Sequence, residues 1–314
     1  STKRICVCRK RPADPAFLII SVLCKLTECV TAALMNASPV FDFHCHSLCS
    51  DGALSPQALI ELAAERGLQQ LAITDHDTTA AYTQQLSDQA TGARLTLVTG
   101  CELSCLWQRR GIHVVGLNID PMHPVFMQAM SEQAQARDRR AEKITTVLQR
   151  MGFSLELTQI QSIAGDGVLG RPHFAEHLVR TNQMPSMAAA FKHALGAGKP
   201  GDIKAEWPAL ETVVGWIRAA GGIAVVAHPL KYKMTLTKLR SLLTRFVEVG
   251  GQGLEVISGH QEPNQTRTLA DLAQRFELVA SAGSDFHRHG QPWAELGRAS
   301  VLPAQCTPIW QLWS

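Results

Sequence analysis

Short apolar runs and longer amphipathic segments alternate along this chain. Residues 40–43, 68–74, 95–99, 112–117, 222–227, 253–257 and 278–282 are runs of the length and apolar content of buried strands. Between them lie stretches with helical spacing. Residues 56–66 carry Leu59, Ile60, Leu62 and Ala63 on one face, with Ser55 as N-cap, Pro56 at the first helical position and Gly67 as the stop. Residues 209–220, 236–249 and 262–276 read as helices in the same way. Residues 102–107 prolong the third run, Gln108-Arg109-Arg110-Gly111 turns, and 112–117 return as the second arm of a hairpin. Helix-separated strands imply parallel neighbours and right-handed crossovers. Units of this kind close into a barrel with its chemistry at the C-terminal strand ends. The pattern therefore predicts an α/β, TIM-like barrel.

One stretch departs from the alternation. Residues 118–207 contain no strand pattern, and helices are predicted over 124–150, 172–180 and 186–195. The stretch is too long for a loop and reads as a helical insertion domain, with the barrel built from 35–117 and 208–314. Residues 1–34 also break the pattern. Basic residues precede an apolar run at 16–24, which Lys25 interrupts and no small-residue cleavage site follows. The run is too short to span a membrane. The segment reads as a disordered or artificially added extension, with Met35 a plausible natural start and a weak export signal the alternative.

The 314 residues, 46% hydrophobic, suffice for a sizeable core. Thirty basic and twenty-seven acidic residues leave a net charge of +3, which excludes a non-specific binder of duplex DNA but permits a local basic pocket for an anion. Of nine cysteines, four precede Met35 and the other five are an odd number in a well-cored chain. They read as reduced thiols of a cytoplasmic protein, not as a disulfide framework.

The candidate chemistry follows the apolar runs. His44 and His46 share one face of extended chain, with Cys45 pointing the other way. Asp51 lies on the next turn; His76, Glu102, His228, Asp285 and His287 follow later strands. His113 sits near the start of its strand, within reach only if the hairpin folds back over the mouth. So many imidazoles and carboxylates in one place need cations to offset their desolvation and mutual repulsion. Nitrogen and oxygen donors without thiolate point to manganese, iron or zinc. Nine donors are too many for one ion and suit two or three divalent metals, which lower the pKa of a bridging water to about 7 and clamp both oxygens of a phosphoryl transfer.

In order, His44-Cys45-His46-Ser47 with Ser50-Asp51-Gly52, Thr74-Asp75-His76, Gly100-Cys101-Glu102, Ala227-His228-Pro229 and Ser284-Asp285-Phe286-His287 resemble the successive motifs of the polymerase-and-histidinol-phosphatase (PHP) superfamily. The resemblance runs from about residue 40 to the C-terminus. It implies a distorted (β/α)7 barrel with a trinuclear centre. One metal would use His44, His46, Glu102 and Asp285; a second would share Glu102 and add His113 and His228; a third would use Asp51, His76 and His287. Some members carry His at the third position, and Asp51 keeps the ligand count intact. The implied nucleophile is a metal-bridging hydroxide held by Glu102, Asp285 and His228, with manganese expected before iron, zinc or magnesium.

The insertion after His113-Val114-Val115-Gly116-Leu117-Asn118 narrows the resemblance. Gly170-Arg171-Pro172-His173-Phe174, Gly198-Lys199-Pro200, Pro263-Asn264-Gln265 and Trp310-Gln311-Leu312-Trp313 are similar to the branch of bacterial 3′,5′-nucleotide bisphosphate phosphatases, also described as 5′-to-3′ exoribonucleases on short RNA. This implies removal of the 3′-phosphate from substrates such as adenosine 3′,5′-bisphosphate, giving AMP and phosphate. The partner is then a small phosphorylated nucleotide or short single-stranded RNA, with no membrane involved and the oligomeric state left open. Arg171 and Lys199 suit a phosphate clamp, with His173 and Asn264 as weaker substrate-binding candidates and Tyr232 as inessential. Asp75 and Asp77 read as turn residues or as supports that orient His76. Arg137, Arg139, Arg140 and Lys143 read as a solvated helix face, and Trp310 and Trp313 as packing. Two rivals remain: a histidinol-phosphate-type phosphomonoesterase, which the long insertion disfavours, and a non-catalytic PHP interaction module, which the complete donor set disfavours.

Overall fold

Among the described residues, 40–298 and 301–313 of a computed structural model, seven strands form one sheet in chain order. They are β1 (Phe41–Asp42), β2 (Gln70–Ile73), β3 (Thr96–Trp107), β4 (Arg110–Leu117), β5 (Ile223–Val226), β6 (Gly253–Ser258) and β7 (Val279–Gly283). All seven coincide with the predicted apolar runs. The N-terminal extension expected over 1–34 lies outside the described residues. The sheet curls until its ends meet: Phe43 N–H donates to Ala282 O at 3.1 Å and Asp285 N–H to His44 O at 2.8 Å. The result is the expected distorted seven-stranded barrel.

Parallel pairing holds except at β4, which runs antiparallel to both β3 and β5. The cause is the two-residue turn at Gln108 and Arg109, whose φ angles of 43° and 64° put both in the left-handed region. That conformation matches the twist of a tight hairpin, so β3 continues straight into β4 without a crossover helix.

The other connections are helical: α1 (Pro56–Glu65), α2 (Gln84–Gly92), α7 (Leu210–Ala219), α8 (Leu236–Glu248) and α9 (Pro263–Arg275). Helix α8 illustrates the local rule. Thr235 caps it by accepting from Lys238 N–H, and Leu239, Leu242, Leu243 and Phe246 form its buried stripe. Helix α2 escapes the hydrophobic pattern, because only Leu86 and Ala90 of its nine residues are buried.

Side chains of β5 alternate between two cores. Ile223, Val225 and Ala227 face the barrel interior with Phe43, Ala72 and Val98, while Ala224 and Val226 pack under the helices with Val213 and Leu242. The lower end of the barrel is closed by the C-terminal segment. Trp310 meets Phe41 edge-on at 4.6 Å, Trp313 meets Phe43 at 5.1 Å, and Ala280 N–H donates to Thr307 O at 2.8 Å. Both tryptophans pack, as expected.

Between β4 and α7 lie α3 (Pro124–Arg150), α4 (Leu157–Ala164), α5 (Arg171–Arg180) and α6 (Met187–Ala190), the last continuing into a π-helical turn, Phe191–Leu195. Helix α3 serves two cores. Phe126 belongs to the barrel core, whereas Ala141, Ile144 and Leu148 pack with Phe174, Leu178 and Leu195 in a core of the helical segment. The helical segment therefore has its own centre yet is anchored through α3 against the barrel.

Candidate active site

The nine predicted donors meet at the upper end of the barrel. His44 and His46 follow β1, which lies so close to β7 that a Cβ on Gly283 would come within 2.3 Å of His44 Cβ. Glu102 sits inside β3, bridged to His76 at the end of β2. His113 pairs with Ser104 across the hairpin. Because β4 is antiparallel, the start of this strand lies at the same end as the finish of its neighbours, so His113 needs no further folding over. At His228 the backbone turns left-handed (φ 28°, ψ 57°) and ends the β5 pattern. Asp285 is left-handed too, at φ 54°.

Glu102, fully buried, is the hub. Its Oε1 is 2.8 Å from His228 Nε2, 2.9 Å from His113 Nδ1 and 3.4 Å from His44 Nε2. Its Oε2 is 2.9 Å from His76 Nδ1 and 3.4 Å from His46 Nε2. Asp285 Oδ1 lies 3.4 Å from His46 Nε2 and 3.6 Å from His44 Nε2. Asp51 Oδ1 lies 3.4 Å from His287 Nε2 and 3.9 Å from both His76 Nε2 and His46 Nδ1. All nine donors fall into overlapping groups whose ligand atoms are within 4.8 Å of one another: His46, Asp51, His76 and His287; His44, Glu102 and His228; His44, His46 and Asp285; His76, Glu102 and His113.

The electrostatics ask for cations. Burial works against ionising Glu102, yet His113, His76 and His44 hold it well below the usual carboxylate range. Burial likewise opposes ionisation of Asp51, and His287 and His76 pull it well below that range. His46 is pushed far down by burial and by His287 and His76. Burial also lowers His44, but Glu255 and Glu102 outweigh it and raise it to about 10. Six buried atoms here, His44 Nε2, both ring nitrogens of His46, His76 Nδ1, Glu102 Oε2 and His228 Nδ1, have no hydrogen-bond partner among the described residues. Buried polar atoms are rarely left so, and a lone pair aimed at its neighbours' lone pairs fits a metal between them. The all-nitrogen-and-oxygen set suits divalent first-row ions.

Above the donors opens a cavity of about 530 Å³. Arg110, Arg137, Arg140, Arg171, Lys204, Lys231 and Lys233 line it, against only Asp51 and Asp202. Trp207 is flanked by two guanidinium groups, Arg140 at 5.0 Å and Arg137 at 5.3 Å from its ring centre. Burial, with Arg171 and Arg137 nearby, lowers Arg140 to about 9.

The PHP domain family matches residues 42–135. Over 279 residues the chain is 40% identical to the 5′-3′ exoribonuclease Rnm of Escherichia coli K12, covering 88% of this chain and 95% of that protein. The chain belongs to the PHP family. A second relative, the 3′,5′-nucleoside bisphosphate phosphatase of Chromobacterium violaceum, is 39% identical over 281 residues, 86% of this chain and 95% of that one. A solved structure of an amidohydrolase from Chromobacterium violaceum, with bound sulfate and no metal, superposes with a TM-score of 0.79 at 37% identity, covering 86% of this chain and 94% of the other. Both named relatives are hydrolases of phosphoester bonds, and this PHP chain is an enzyme of that class.

The substrate-binding residues expected of the PHP site are dispersed. Arg171, at the start of α5, lines the cavity and donates through Nη1 to Asp202 Oδ1 and Leu195 O, both at 2.9 Å. His173 is buried and spends Nδ1 as the helix cap, accepting from Gly170 N–H at 2.9 Å. Lys199 is exposed and outside the cavity lining; Lys204, five residues on, lines it instead. Asn264, in the exposed first turn of α9, lies outside the lining too. The Gly-Lys-Pro string fixes a turn, not which side chain the turn directs inward.

Several residues at this PHP site carry roles the sequence reading missed. The run 137–143 is not wholly a solvated face. Arg139 and Lys143 are exposed and pair with Glu206, while Arg137 and Arg140 turn inward to the cavity. Their spacing of three residues places the two on one helix face, which was the available signal. Asp75 and Asp77 do not support the His76 ring. Asp75 accepts from Ser47 N–H at 2.7 Å and Ser50 Oγ at 2.6 Å, pinning the loop that carries Asp51. Asp77 accepts from Ser104 N–H and from Arg137. Lys231 is ion-paired with Asp285; its place just after His228-Pro229 was the clue. Asp42 accepts from the N–H groups of Ser284 at 2.9 Å and Gly297 at 2.8 Å and so fastens β1 to the loop after β7. Cys45 donates to Ala72 O at 3.4 Å, away from the donors.

Proposed function

We propose that this PHP chain is a metal-dependent phosphoesterase that removes the 3′-phosphate of 3′,5′-bisphosphonucleotides and also trims short RNA in the 5′-to-3′ direction. The observation that carries this reading is the coincidence of two features: nine imidazole and carboxylate donors with unpartnered buried atoms, and a strongly basic cavity directly above them. When bound, divalent metals, manganese first, would supply Lewis acidity and a water ionised near neutral pH. His44, His46, Glu102 and Asp285 would hold one ion, His113 and His228 a second with Glu102, and Asp51, His76 and His287 a third.

The chain's own part is to bind and orient. Arg171, Arg140 and Lys204 would take the phosphate remote from the metals, since guanidinium groups bind phosphate in two-point contacts. Lys231 would sit beside the phosphate being cleaved. Trp207, Pro172 and Met234, in the cavity lining, would supply apolar surface for a nucleoside. The names of the two relatives and the sulfate in the solved neighbour support a phosphorylated nucleotide or short single-stranded RNA as substrate. Cys45, Cys49, Cys101, Cys105 and Cys306 form no disulfide among the described residues, which supports a reducing, cytoplasmic setting. Among the described residues, no helix is long and apolar enough to cross a membrane.

The test is a substrate panel with manganese: adenosine 3′,5′-bisphosphate, histidinol phosphate and a short 5′-phosphorylated RNA. The reading expects turnover of the first and last and little of the second. Preference for histidinol phosphate would install the monoesterase reading, and no turnover of any would leave a non-catalytic barrel.

A further inference from the structure

Glu255 is the one acidic residue in β6, an otherwise apolar strand of sequence Gly-Leu-Glu-Val-Ile-Ser, and it is only 2% exposed. It belongs to none of the donor groups. Its two oxygens are nevertheless both engaged, and by different strands. Oε1 is 2.9 Å from His44 Nδ1, beyond β1, and Oε2 accepts from the backbone N–H of His228, beyond β5.

We propose that Glu255 is a positioning residue that presents His44 and His228 to the metals; the proposal rests on the metal-site reading above. An ionised carboxylate can only accept hydrogen bonds. His44 Nδ1 therefore carries a proton, and Nε2, facing Glu102 and Asp285 at 3.4 and 3.6 Å, is the nitrogen a metal would take in place of a proton. A carboxylate behind an imidazole fixes which nitrogen is free to bind metal in this way. The second contact acts on backbone. His228 stands at φ 28°, where side-chain-bearing residues are strained, and its N–H has turned out of the strand ladder. Glu255 Oε2 receives that N–H and holds the turn that brings His228 Nε2 to 2.8 Å from Glu102. One buried carboxylate thus sets a ring orientation on one side of the barrel and a backbone turn on the other. The group of His46, Asp51, His76 and His287 contains neither of its partners.

The decisive variant is Glu255→Leu. Leucine fills much of the same space and offers no acceptor, so both His44 Nδ1 and the His228 N–H lose their partner. Two measurements on the full chain follow. In metal-free protein, hydrogen exchange at the His228 amide should quicken by about tenfold or more, with amides deeper in β5 unchanged. In protein equilibrated with manganese, total affinity should fall about 10- to 100-fold, and elemental analysis should show at least one ion lost while the ion at the His46, Asp51, His76 and His287 group is retained. Glu255→Asp, which keeps both acceptors on a shorter arm, should recover part of each effect. An unchanged His228 amide, or manganese binding equal to wild type, would overturn the proposal, even if the melting temperature fell. A wild-type chain that takes up no manganese would defeat the metal-site reading instead, and the exchange measurement would still decide whether Glu255 holds His228.

Discussion

Asp77 Oδ2 accepts from Arg137 Nε at 2.7 Å and is ion-paired with its Nη2 at 2.6 Å, while Asp77 Oδ1 accepts from Ser104 N–H at 2.6 Å. Arg137 then continues through Nη1 to Leu169 O at 3.0 Å. The pair is nearly sealed from solvent and joins the loop after β2 to α3, so it ties the barrel mouth to the helical segment above. Removing one partner of such a buried pair strands the other charge. Asp77→Ala should therefore cost about 3–5 kcal/mol of stability, measured as a lowered denaturant midpoint with unchanged slope. The double variant Asp77→Ala with Arg137→Met should regain a large part of that loss. If Asp77→Ala is nearly as stable as wild type, the pair is not an anchor.

The donor cluster makes a prediction about composition. Glu102 contacts five imidazoles, and six buried atoms of this cluster, its own Oε2 included, are unpaired among the described residues. Elemental analysis of protein purified without chelator should find about two to three transition-metal ions per chain. Asp285→Ala and His44→Ala should each abolish turnover while leaving a folded protein. Full activity after exhaustive chelation would end the metal reading.

What could be read ahead of the structure depends on where the information lies. The strands were legible because each contains a short apolar run, several with a polar donor just beyond it, and the hairpin because its turn is short and polar. Helix α2 was not, since Leu86 and Ala90 alone make too weak a stripe against a polar background. The donors at strand ends were legible because several occur in a fixed order. Glu255 was not: a lone acid inside an apolar strand acquires meaning only when β1 and β5 bring His44 and His228 to it. Arg137 and Arg140 are similar. Their inward turn depends on partners such as Asp77, 60 residues away, and on Trp207.

Tyr232 offers a smaller test. Its hydroxyl accepts from His113 N–H at 2.8 Å, at a point where β5 has already ended and offers no ladder partner. Tyr232→Phe leaves that part-buried N–H unpaired and should cost about 1–3 kcal/mol. Activity at saturating manganese should fall only a few-fold, because the His113 ring is still held by Glu102 at 2.9 Å. A collapse of turnover with normal stability would mean that the hydroxyl touches substrate.

The last prediction separates the two duties of Arg171. It lines the cavity, yet it also closes the turn between Leu195 and Asp202 through its two Nη1 contacts. A remote phosphate is what distinguishes a bisphosphonucleotide from a simple aryl phosphate, and a fixed guanidinium suits it. Losing a charge-assisted contact is worth about 1.5–3 kcal/mol, so Arg171→Ala should lower kcat/KM for 3′,5′-bisphosphonucleotides roughly 10- to 100-fold, chiefly through KM. Turnover of the aryl phosphate should hardly change. Asp202→Asn is the control. It loosens the turn but leaves the guanidinium in the cavity, so it should depress the bisphosphonucleotide rate much less than Arg171→Ala does. Equal effects of the two variants would reduce Arg171 to a brace for the turn. Equal losses on both substrates would move it to the phosphate that is cleaved.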